Sequence, residues 1–111
     1  MLKANKIEEN WESLIQLVED NFEGERKEKL LEMYNHFEDR MMLAPASGTG
    51  WFHNAFPGGY VDHILNVIRT CLRIHQVYKD MGMKMDYTER DVIFCAMHHD
   101  LGKIGDLNNE Y

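Results

Sequence analysis

Between Lys6 and Phe22 the large apolar side chains Ile7, Trp11, Leu14, Ile15, Leu17, Val18 and Phe22 recur mostly three or four residues apart, with acidic residues between them. That spacing predicts an amphipathic helix. Gly24 interrupts it. From Glu25, the positions Leu30, Leu31, Tyr34, Phe37 and Met41 predict a second helix, which Pro45 stops by disfavouring helical geometry at the residue before it. Both helices are expected to shield a core. A third helix is predicted from about Tyr60 to Asp80; it carries Val61, Ile64, Leu65, Val67, Ile68, Cys71, Leu72, Ile74, Val77 and Tyr78, and apolar residues on most of its girth make it central. A fourth starts at Thr88, a good N-cap followed by Glu89 and Asp91 in the first turn. It continues through Val92, Ile93, Phe94, Cys95, Ala96 and Met97 as a buried helix, and Gly102 should end it near Leu101. No repeat and no long strand-like alternation interrupts this reading, so the fold class is all-α, with the third and fourth helices packed together.

Between the second and third helices, the stretch from Ala44 to Val61 holds four of the eight glycines, both prolines and no Asp, Glu, Lys or Arg. It also carries Trp51, Phe52 and Phe56. Ordinary surface connections are shorter and more polar, so this loop is expected to form a pocket wall. With 111 residues the chain is expected to be one domain: leading amphipathic helices over 1–43, the aromatic and glycine-rich loop over 44–59, and the chemistry-bearing helices over 60–111.

Charge narrows the partners. The net charge is −7, and the first forty-three residues, with six basic and eleven acidic side chains, account for −5 of it. A broad basic surface for duplex DNA is therefore not expected, whereas a small anionic substrate is compatible. Cys71 and Cys95 read as reduced core thiols. No apolar run approaches the roughly 18 residues of a membrane span, and the first residues lack the apolar stretch of a secretory signal, so a cytoplasmic protein without a membrane partner is expected.

The residues with chemistry to offer are His53 in the loop, His63 early in the third helix, and the run His98-His99-Asp100-Leu101-Gly102-Lys103. Imidazoles and a carboxylate converging on an apolar core need compensation for lost hydration, and a divalent cation is the usual one. Adjacent residues on a helix point about 100° apart, so His99 and Asp100 can share an ion only off the helix end, near a crossing helix that supplies His63. An acid at a helix C-terminus is itself opposed by the helix dipole and calls for a cation.

These residues resemble the HD superfamily of metal-dependent phosphohydrolases, in which a His on one helix, a later His-Asp doublet and a further Asp downstream form the signature. His63 matches the first His, and His99-Asp100 the doublet, within Ala96-Met-His-His-Asp-Leu-Gly-Lys-Ile-Gly105. The stretch from His53 through Gly58-Gly59 to His63 resembles the His-x(4)-Gly-Gly-x(3)-His element of the branch containing YhaM-like 3′-to-5′ exoribonucleases and small phage-type HD proteins. The resemblance covers roughly residues 44–106. It departs from the family in one respect: the final Asp belongs tens of residues beyond the doublet, and Asp106 is too near to stand for it. Either the sequence is a portion of a longer protein, which is the expectation, or the fourth ligand comes from water, a partner or nowhere.

The resemblance implies a divalent metal held by His63, His99 and Asp100, with Mn²⁺, Fe²⁺, Co²⁺, Ni²⁺ or Zn²⁺ better suited than Mg²⁺ to two imidazoles and a carboxylate. It implies Asp100 and Lys103 as catalytic residues. Lys103 and His53 are candidates for contact with a substrate phosphate, and Gly58 and Gly59 for backbone approach to the anion at the start of the third helix. The expected activity is hydrolysis of a nucleotide or other small phosphate ester. The alternatives are a 3′-to-5′ exoribonuclease, which the acidic balance opposes, and a non-catalytic metal- or nucleotide-binding module, which the missing Asp favours. Asp62 reads as a solvated residue or a support for His63, and His98 as structural. The two leading helices suit either packing on the core or a homo-oligomeric contact.

Overall fold

The computed structural model describes residues 1–47, 54–106 and 108. In chain order the helices are α1 (Ala4–Asn21), α2 (Gly24–His36), α3 (Glu38–Leu43), α4 (Gly59–Asp80) and α5 (Glu89–His98), followed by a short 3₁₀ turn over Leu101–Ile104. The fold is all-α. No helix among the described residues is long and apolar enough to cross a membrane.

The helix α4 organises the rest. It packs most extensively on α5, and α1 and α3 also lie against it. One core joins Trp11, Leu14 and Val18 of α1 to Tyr34 of α2, Met41 of α3, Tyr60, Val61, Ile64, Leu65 and Ile68 of α4, and Ile93, Ala96 and Met97 of α5. Full burial of such side chains contributes about 1.5–3 kcal/mol each. The expected Thr88 cap is present as a reciprocal box: the Asp91 amide donates to the Thr88 hydroxyl, and the Thr88 amide to the Asp91 carboxylate. Donation from the Thr88 backbone, and then its hydroxyl, holds the Asp91 carboxyl below its ordinary pKa.

Four expectations are corrected. The second predicted helix is two helices, broken at Phe37 (φ −101°, ψ 10°), where the bend turns a last helical turn onto α1 and α4 and buries Met41 completely. The fourth predicted helix ends at His98 rather than near Leu101, because Asp100 leaves helical geometry at φ −111°, ψ 14°. Cys95 is exposed and Cys71 only partly buried, both as free thiols, since the core face of α5 is taken by Ile93, Ala96 and Met97. Finally, α4 is central only over its first two-thirds; Ile74, Val77 and Tyr78 lie about half open.

Candidate metal centre

The N-terminus of α4 fixes one side of the site. Gly58 adopts φ +83°, the left-handed geometry that glycine reaches without strain, and so turns the chain into the helix. A Cβ at Gly59 would strike the Asn54 carbonyl oxygen, so this position requires glycine for close approach. The Gly58 amide donates to the Leu43 carbonyl, Gly59 to Phe56, and Tyr60 to Ala44. These amides are therefore spent inside the chain, and the anion-facing role expected of Gly58 and Gly59 is replaced by one in packing.

A polar brace holds the same end. The Asn54 amide group donates to the Asp62 carboxylate at 3.0 Å and to the Gly59 carbonyl at 3.3 Å, and Asn10 of α1 donates to the other Asp62 oxygen at 3.3 Å. Asp62 is thus a support for the turn that carries His63. Asn10 is 4% exposed; its place among Ile7, Trp11 and Leu14 on the apolar face of α1 is the signal by which the sequence marks it.

His63 lies one turn into α4, and the end of α5 brings the doublet to it. Asp100 Oδ2 stands 3.3 Å from His63 Nε2 and 3.2 Å from His99 Nε2. One ligand atom from each of the three residues lies within 4.8 Å of the other two. Nδ1 of His99 is 2.7 Å from the Ala96 carbonyl, and since a carbonyl only accepts, this nitrogen carries the proton. Nε2 of the neutral ring is then left with its lone pair toward the cluster, as a metal-ligating histidine requires. His99 keeps helical dihedrals at φ −62°, ψ −28°, and Asp100 is the residue that leaves them, at φ −111°, ψ 14°.

Lys103, in the 3₁₀ turn, places Nζ 3.6 Å from the same Asp100 oxygen and donates to the Ala46 carbonyl at 3.0 Å. His99, Asp100, Gly102 and Lys103 line an open depression. Arg40, which sequence reasoning passed over, secures the segment beyond by donating to the carbonyls of Ile104 (3.2 Å) and Asp106 (2.7 Å). His53, with Trp51 and Phe52, lies outside the described residues.

Beneath the cluster runs a buried polar string. Burial pushes the Tyr60 phenol up, with the Asp100 charge as a lesser cause, and burial then Tyr60 do the same to Tyr34. Tyr34 donates to His98 Nε2 at 2.9 Å, while His98 Nδ1 donates to the Phe94 carbonyl at 2.7 Å. Burial pushes the His98 pKa down, partly opposed by that carbonyl. His98 is therefore engaged away from the doublet, in a structural role.

Two imidazole nitrogens and a carboxylate oxygen at these separations fit a divalent first-row transition metal, whose bonds to such donors are about 2.0–2.2 Å. Comparison with protein-family models, curated proteins and solved structures returned no match.

Proposed function

We propose that this chain is a metal-dependent phosphohydrolase of the HD type, acting on a nucleotide or another small phosphate ester. The observation that supports it above all is the convergence of His63, His99 and Asp100 from two helices, with donor atoms within 4.8 Å. The motif resemblance over residues 44–106 points the same way, on the same three residues. Mn²⁺, Fe²⁺, Co²⁺, Ni²⁺ or Zn²⁺ suits this donor set better than Mg²⁺. When bound, such a cation supplies Lewis acidity toward a phosphate oxygen and acidifies water for attack on phosphorus.

The chain's own residues do the rest. Asp100 contributes the negative charge that holds the cluster together, and the Ala96 carbonyl fixes the ring of His99 in the ligating tautomer. Lys103, with its side chain 45% exposed at the rim, offers an ammonium group to the nonbridging oxygens on which charge accumulates during phosphoryl transfer. The net charge of −7 favours a small substrate over a bound strand. Free cysteines suit a cytoplasmic setting.

The test compares phosphate release from free nucleotides and simple phosphate esters with product release from a labelled oligoribonucleotide, in the presence of Mn²⁺. Hydrolysis of the small substrates that disappears in Asp100→Ala is the expected result. Activity on the oligomer alone would reassign the chain as a 3′-to-5′ exoribonuclease, and metal binding without turnover would make it a binding module.

A further inference from the structure

The outer face of α4 carries a feature independent of the metal cluster. Ile74, Val77, Tyr78 and Met81 are 48%, 53%, 40% and 71% exposed, and their spacing of three, four and seven residues aligns them in one stripe. The stripe is turned away from Leu65, Ile68 and Leu72, which form a groove with α1, and from His75, which lies against Tyr87. Met83, 51% exposed, follows just past the helix end. Apolar side chains scattered singly are normal on a protein surface, whereas a contiguous group marks a contact face.

The stripe matches itself. A two-fold axis crossing it between positions 77 and 78 sets two copies antiparallel, exchanging position 74 with 81 and 77 with 78, so apolar meets apolar throughout. The flanking charges obey the same symmetry. Arg73 and Asp80 are both exposed and lie seven residues apart, hence on one edge of the stripe. An antiparallel two-fold brings that edge alongside its own copy, where the same axis leaves Arg73 two residues, about 3 Å, from level with the partner's Asp80, within reach of these long side chains in both copies. A parallel pairing sets that edge against the opposite one and loses both matches. Five exposed side chains, Met83 included, offer on the order of 500 Å² per protomer, about 1,000 Å² per pair, the lower bound for a specific interface.

We infer that two copies of this chain associate through an isologous, antiparallel contact between their Ile74–Met81 stripes, locked in register by reciprocal Arg73–Asp80 ion pairs. The stripe begins eleven residues after His63, about 16 Å along the helix, so the contact leaves the metal cluster open. Flanking charges set orientation here as they do in coiled coils, and the small area makes the dimer weak and concentration-dependent.

Sedimentation equilibrium of the intact chain from micromolar to millimolar concentration tests this. The wild type is expected to show a reversible monomer–dimer equilibrium. Val77→Glu should weaken it at least tenfold with an unchanged circular dichroism spectrum. Arg73→Asp and Asp80→Arg should each weaken it several-fold, and the double exchange should restore it. A wild type that stays monomeric, a dimer indifferent to Val77→Glu, or a double exchange that fails to rescue would each overturn the inference.

Discussion

Asp100 Oδ2 lies 3.3 Å from His63 Nε2, across the gap between the end of α5 and the start of α4, while Lys103 Nζ approaches the same oxygen to 3.6 Å. The ammonium group thus competes with a cation for this carboxylate and at the same time favours an incoming phosphate. Lys103→Met should therefore leave metal affinity equal or raise it by up to about fivefold, as expected for a half-exposed and screened charge. Phosphate-ester turnover should fall by about 10²-fold, the usual cost of losing an electrostatic contact in the transition state. Calorimetric metal titration beside steady-state kinetics separates the two effects.

The brace around Asp62 yields a prediction about backbone geometry. Asn54 holds φ +52°, which costs a residue with a Cβ roughly 1–2 kcal/mol and glycine nothing. Asn54→Gly and Asn54→Ala both lose the bonds to Asp62 and Gly59, so the alanine variant should be the less stable by about 1 kcal/mol in urea unfolding. Gly59→Ala, which drives a Cβ into the Asn54 carbonyl, should cost at least ~3 kcal/mol. Asn10→Ala should cost about 1–3 kcal/mol, by leaving a partly buried carboxylate oxygen short of a donor.

The buried phenols set a pH limit. The pKa values of Tyr34 and Tyr60 are raised above the ordinary 10.0, chiefly by burial, so above that pH the unfolded chain loses protons that the folded chain keeps. The stability these groups contribute is complete below pH 10 and declines as the pH rises, by up to about 1.4 kcal/mol per unit for each tyrosine. Melting temperatures recorded from neutral pH into the alkaline range should fall beyond that point, and Tyr34→Phe with Tyr60→Phe should flatten the fall. At neutral pH, Tyr34→Phe alone should cost about 1 kcal/mol through the lost bond to His98.

Helices α1, α4 and α5 were legible because their apolar spacing and the Thr88 cap are local signals that packing did not override. The meeting of His63 with the His99-Asp100 doublet was legible too, since neighbouring side chains can share a point only beyond a helix end that faces another helix. What escaped depended on contacts distant in sequence. The bend at Phe37 follows from burying Met41, and the early stop at His98 from the turn that aims Asp100 at His63. The exposure of Cys95 and of the far end of α4 reflects which faces found neighbours, which periodicity alone does not decide. The amides of Gly58 and Gly59 were read as open to an anion because nothing in their local sequence reveals the carbonyls of Leu43 and Phe56 that take them.

A metal-binding isotherm, measured by calorimetry with Mn²⁺ and with Zn²⁺ on the wild type and on His63→Ala, His99→Ala and Asp100→Ala, tests the shared site most directly. The wild type should bind one ion, and each variant should lose more than the 10–100-fold that disturbing an outer partner of a metal site costs. No binding by the wild type, or wild-type affinity in any one of the three variants with its fold intact, would contradict a single ion shared by these side chains.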